Sequence, residues 1–163
     1  MVPASENALI VQSDCSVLLE VHAPRAEDAR AALAPFAELV KSPEHVHTYR
    51  LTPLSIWNAR AAGLGAEQMV TALREHARYA VPPNVEQEIL ELAARYGRVV
   101  ITRDGAWLRC ACLDELTAER LSRDREAGRY LTDRIDGSSF RVDPGERGVL
   151  KQALVAAGFP AED

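Results

Sequence analysis

Few side chains in this sequence stand at spacings that do chemistry. His45-Val46-His47 is the most metal-like cluster, because alternate residues of a strand project from one face. A catalytic metal needs three protein ligands, and spacing supplies no third. Two ordinary histidines entering a strand are the simpler reading. Cys110 and Cys112 share a strand face in the same way, and Cys15 would have to come from another hairpin. Free cysteines are commonly buried as small hydrophobes, so core packing is preferred to zinc binding or redox work. The sequence holds no G-x-x-x-x-G-K-[ST] loop, G-x-S-x-G or H-E-x-x-H. Gly63-Leu64-Gly65 gives the first half of G-x-G-x-x-G, but between two helices and not after a strand, where it has no phosphate to cradle. No catalytic residue, metal site or cofactor is therefore expected in this chain.

Residues 53–77 have the form of a helix-turn-helix joined through that glycine pair. A DNA reader wants base-edge and phosphate donors on its second helix. Here the expected exposed positions are Gln68, Arg74, Glu75 and His76, and the next helix adds Glu86, Glu88 and Glu91. Those acids oppose a phosphate backbone. A packing motif is the first reading and a DNA-binding one the second. The whole chain points the same way: 19 basic and 24 acidic residues leave a net charge of -5, with no electrostatic pull toward nucleic acid.

The elements that position these residues are well punctuated. Residues 8–22 read as a hairpin, followed by a helix from about Arg25 in which Ala29, Leu33, Phe36 and Val40 recur at helical spacing, interrupted by Pro35. A strand is predicted over Val46–Leu51. Thr52 then caps a helix whose first position is Pro53, with Leu54, Ile56, Trp57 and Ala61 on its apolar side and Gly63 as its left-handed stop. A second helix covers 66–77. A third begins at a capping box of Asn84 and Gln87 after Pro82-Pro83 and ends at Gly97. Asp104-Gly105 marks a hairpin between 98–102 and 106–112. A charged helix over 113–126, a hairpin of 129–135 with 139–142, and a helix opened by Asp143-Pro144 and stopped by Gly158 complete the chain. The predicted class is α+β: antiparallel hairpins packed with helices, including a central three-helix, helix-turn-helix-like segment. A single domain over 1–163 is expected, with hairpin, helix and strand in 1–51, helices in 52–97, and hairpins with helices in 98–163.

With 163 residues, 47% hydrophobic and 26% charged, the chain has the make-up of an ordinary soluble domain. Its longest aliphatic run, Ala8–Val11, is far shorter than a membrane span. The start, MVPASENA, lacks the basic and apolar regions of a secretory signal, and an odd number of cysteines suits a reducing compartment, so a cytoplasmic location is expected.

One long stretch carries a resemblance. Pro43-Glu-His-Val-His-Thr-Tyr-Arg-Leu-Thr-Pro-Leu-Ser-Ile-Trp-Asn-Ala59 is similar to the N-terminal domain of XPB-type DNA repair helicases, as are Tyr79-Ala-Val-Pro82 and Arg95-Tyr-Gly-Arg98. The ending, Glu146–Leu154 and Gly158–Asp163, resembles the bacterial members just ahead of their helicase core. The likeness covers nearly the whole chain. It implies an ATP-driven 3′→5′ DNA helicase of nucleotide excision repair as the parent, which would bind ATP and Mg in lobes carrying a Walker A lysine and a D-E-x-H motif. Neither motif occurs here, so the resemblance implies a non-catalytic accessory piece of a longer protein, ahead of its motor. Its expected partners are the helicase core of the same parent chain, a repair protein, and DNA through the parent, with no membrane. Residues 43–97 are the expected partner or interdomain face. Tyr49, Arg50, Trp57 and Arg60 are its candidate contacts, although aromatics at these spacings also suit a core. The alternative is a module that touches DNA or senses damage directly.

Overall fold

A computed structural model describes residues 6–163; the first residues of the segment read above for a signal sequence lie outside that range. The fold is α+β and divides into two compact units, the first running to Ala93 and the second from Ala94 to Asp163. The central helical segment is not a body of its own. Nearly all of it belongs to the first unit, packed with the sheet that precedes it.

In the first unit β1 (Leu9–Val11), β2 (Ser16–Glu20), β3 (Glu38–Lys41) and β4 (Val46–Arg50) form an antiparallel sheet in the order β1-β2-β4-β3. Alternation places Leu9, Val17, Leu19 and Tyr49 toward one core. Helices α1 (Ala26–Leu33), α2 (Pro53–Ala61), α3 (Ala66–His76) and α4 (Pro83–Arg95) contribute Leu33, Ile56, Met69, Leu73, Val85 and Ile89 to it. The sheet edge at β1 is closed by the segment after α3, whose Arg78 N–H donates to the Leu9 carbonyl at 2.8 Å. Buried Asn7 completes that closure. Its side-chain amide donates to the carbonyls of Glu75 and Ala77 at 3.1 and 3.0 Å, and its Oδ1 accepts from Arg25 at 2.8 Å.

Several sequence expectations shift in this unit. Val40 is not helical: it lies in β3, a strand with every residue exposed and a bulge between Leu39 and Lys41. A strand that buries neither face has no two-residue alternation to reveal it. Leu54 and Ala61 face solvent, and Ser55 takes the buried place expected for Leu54. The Asn84–Gln87 capping box does not form. The helix begins at Pro83, with the Pro82 carbonyl accepting from Val85 N–H at 3.0 Å, while the Asn84 amide donates to the Ser13 carbonyl at 2.8 Å. His76 is buried, not exposed, on the inner side of α3. Gly63 does end α2, at φ +96°, as its punctuation predicts.

The second unit is built on β5 (Val99–Asp104), β6 (Trp107–Cys112), β7 (Asp133–Arg134), β8 (Ser139–Val142) and β9 (Ala161–Glu162), in the order β7-β8-β6-β5-β9. All pairs are antiparallel except β5 with β9. One face of the sheet carries Val99, Ile101, Leu108, Cys110, Cys112, Phe140 and Val142. It is covered by Ala118 and Leu121 of α5 (Glu115–Ser122) and Leu150 and Leu154 of α6 (Arg147–Ala157). Helix α5 is shorter than predicted because Arg123 ends it, and a 3-10 turn at Ala127–Arg129 takes the place of the strand start expected there. Asp143 caps a 3-10 turn at Pro144–Glu146 that leads into α6, on which Val149 is half-exposed. β9 was not foreseen: it is two residues long and pairs with a strand some sixty residues earlier.

Candidate functional site

The expected contact residues fall into two kinds. Tyr49 is 5% exposed on the core side of β4, and Trp57 is 6% exposed in α2, its indole N–H donating to the Leu92 carbonyl at 2.8 Å. Both aromatics hold the first unit together and present no free face. Arg50, by contrast, ends β4 in the open, with Ser16 and Glu38 as its cross-strand neighbours. Nearby Asp14 is held below the usual carboxylate range, chiefly by the hydroxyl and backbone N–H of Ser16 and to a smaller degree by Arg50. Arg60 is half-exposed in the last turn of α2, where a cation complements the helix dipole.

The corner between β4 and α2 fixes these arginines. Thr52 Oγ1 accepts from the Ser55 N–H at 3.0 Å, and Ser55 Oγ accepts from the Thr52 N–H at 2.9 Å, a reciprocal capping box. The buried Ser55 hydroxyl donates to the Phe36 carbonyl at 2.9 Å, and Thr52 donates to Glu38 at 3.0 Å. Both residues therefore tie α2 to the segment entering β3.

The His45-Val46-His47 pair is split between different partners. His47 Nδ1 faces the Arg30 guanidinium at 3.1 Å, while His45 Nδ1 lies 2.9 Å from Nε2 of His22. His22 is 23 residues away in sequence, so no motif spacing could point to it. Cys110 and Cys112 share the covered face of β6. Their mutual hydrogen bond and burial push the Cys110 thiol far above its ordinary range, and the same bond draws Cys112 down. Among the described residues no cluster of three or more His, Cys, Asp or Glu is arranged to hold a metal ion, and no helix is long and apolar enough to cross a membrane.

The second unit has an uncovered surface that the motif search missed. In β6, alternation sends Leu108, Cys110 and Cys112 inward and Trp107, Arg109 and Ala111 outward. Register then aligns Asp104 with Trp107, and Thr102, Arg109, Arg141 and Asp133 in one row across four strands. Trp107 is 45% exposed, with the Arg141 guanidinium 5.7 Å from its ring centroid. Arg109 donates to Asp136 at 3.0 Å and to Ser139 Oγ at 3.2 Å. The Asp136 carboxyl sits low in pKa, first through the Ser138 N–H, with Ser139 and Arg109 adding to it. The period-2 pattern of Trp107–Cys112 carries the signal for this face, since one face of an antiparallel sheet is commonly left open. The face thus combines one exposed tryptophan with two arginines, Arg109 paired with Asp136 and Arg141 in register with Asp133.

Residues 9–136 match the family described as the helicase conserved C-terminal domain. The curated relatives include the DNA 3′-5′ helicase XPB of Kineococcus radiotolerans, 51% identical over 162 residues, and that of Mycobacterium tuberculosis, 50% identical over 160 residues. Each alignment covers 98% of this chain and 29% of the relative. The general transcription and DNA repair factor IIH helicase/translocase subunit XPB/SSL2 of Saccharomyces cerevisiae is 30% identical over 160 residues, covering 97% of this chain and 18% of that protein. The chain thus spans about 29% of the length of the bacterial relatives.

Proposed function

The chain belongs to the helicase conserved C-terminal domain family, and from that premise we propose that it is a non-catalytic accessory domain of an XPB-type, ATP-dependent 3′→5′ DNA helicase acting in DNA repair in the cytoplasm. In this reading it lies ahead of the motor, docks on the helicase core of the same parent chain or on a repair protein, and regulates the motor through that contact. ATP and Mg are bound by the parent's motor lobes, since these 163 residues include no phosphate-cradling loop. Arg50 and Arg60 remain its contacts in the first unit, with Tyr49 and Trp57 holding the elements that carry them.

The observation that carries docking over direct DNA contact is the charge balance of the open sheet in the second unit. Arg109 is paired with Asp136, and Arg141 stands in register with Asp133. Phosphate binding depends on unneutralised cations, whereas arginine and tryptophan beside matched acids suit a protein partner. The test adds the 163-residue chain in trans to a motor lacking it. Docking predicts saturable binding by calorimetry and a changed DNA-stimulated ATPase rate, both weakened by Trp107→Ala. No binding and no rate change would refute it. Affinity for forked DNA that falls steeply between 50 and 200 mM salt would instead favour the DNA-contacting alternative.

A further inference from the structure

At the end of the first sheet, the segment leaving β2 and the segment entering β4 run side by side, with Val21 N–H donating to the His45 carbonyl at 3.1 Å. This pairing brings two exposed imidazoles together: His22 Nε2 and His45 Nδ1 are 2.9 Å apart, and the ring centroids are 5.1 Å apart. They line a cleft of about 370 Å³ with Glu20, Ala23, Val46 and Arg78. Glu20 is occupied by an ion pair with Arg78 at 2.5 Å, which leaves the two imidazoles as the metal-ligating side chains that the cleft offers.

We infer that His22 and His45 form a two-histidine site for a divalent transition-metal ion, with water completing the coordination. The 2.9 Å separation is that of a hydrogen-bonded pair of rings, close enough for both nitrogens to reach one ion once the rings turn. For two imidazole nitrogens the intrinsic order of affinity favours Cu²⁺ over Zn²⁺. In the metal-free pair one of the two facing nitrogens donates its proton to the other. On binding, that proton moves to the far nitrogen of the same ring, so that both facing nitrogens present lone pairs to the ion. Both rings are exposed and need only small side-chain rotations to turn the two lone pairs onto one ion. A bound ion would clip the start of β4 to the end of β2 on the strand that leads to Arg50.

Titration of the tag-free 163-residue chain with CuCl₂, followed by calorimetry and by nitrogen hyperfine structure in the electron paramagnetic resonance spectrum, tests the site. One Cu²⁺ with two imidazole nitrogens is expected, bound more tightly than Zn²⁺. His22→Gln and His45→Gln should each weaken it at least tenfold. His47→Gln should leave it unchanged, because that ring faces Arg30. Circular dichroism confirms that each exposed variant is folded. Equal Cu²⁺ affinity in the chain and in the His22→Gln/His45→Gln double variant, or a preference for Zn²⁺, would overturn the inference.

Discussion

Removal of the Thr52 side chain should loosen the corner that joins β4 to α2 by an amount that can be worked out from its contacts. Thr52→Ala deletes the acceptor for the Ser55 N–H, and loss of such a cap costs about 1 kcal/mol. The exposed hydrogen bond to Glu38 adds little. Ser55→Ala removes more. It orphans the buried Phe36 carbonyl and takes away the acceptor for the Thr52 N–H, for an expected loss of about 2 kcal/mol. Because the two side chains satisfy each other's backbone groups, their losses should not add. The double variant should fall short of the sum by about 0.5–1 kcal/mol, the coupling seen between residues of one network. Urea unfolding at pH 7.5, monitored by tryptophan fluorescence, reads all three values, since Trp57 sits in the helix concerned. Thr52→Asp, which keeps a capping oxygen, should recover most of the loss. A Thr52→Ala change below about 0.3 kcal/mol, or full additivity, would refute the reciprocal box as the source of stability.

Two further outcomes follow from single positions. A Cβ at Gly128 would lie 2.5 Å from the Ser122 carbonyl oxygen, a backbone atom that cannot swing away, so Gly128→Ala should destabilise the second unit by roughly 1–3 kcal/mol in the same urea assay; an unchanged midpoint would contradict that packing. His76 is buried with an unpartnered Nδ1. Burial, then Arg25, lowers its pKa from 6.5 against smaller opposing effects of Glu75 and Asp28. Its neutral form is the one the fold accepts. Its contribution is therefore complete above pH 6.5 and is lost as pH falls from there toward the lower folded-state value. His76→Gln should show a flatter dependence of urea midpoint on pH between 7.5 and 5, and identical slopes for both proteins would rule this out.

Local punctuation was legible in the sequence wherever backbone geometry demands a particular residue. Thr52-Pro53 opens α2, Gly63 closes it, and Gly158 at φ +89° closes α6. What escaped was set by partners far along the chain. β9 exists only because β5 lies beside it, Asn84 spends its amide on Ser13, and β3 buries nothing that would mark it. The same division holds for the candidate sites. Tyr49 and Trp57 were legible as important aromatics, but a sequence cannot tell a core anchor from an interface anchor of identical spacing. Trp107 and Arg109 were visible as one face of a strand, yet only register shows Arg141 and Asp133 beside them. Of the His22–His45 pair, His45 stood out within His45-Val46-His47, while His22 left no local trace.

The clasp made by Asn7 bears on how the polypeptide emerges from the ribosome. Its acceptors, Glu75 and Ala77, lie 68 and 70 residues later, and β1 shares a bridge with Ala77. At about 5–20 residues per second, synthesis needs roughly 3–14 s after Asn7 to reach them. Until then the first hairpin has no lid, and the amide of Asn7 and the outer edge of β1 lack those partners. The edge of the first sheet therefore cannot close until residues 75–78 have been made.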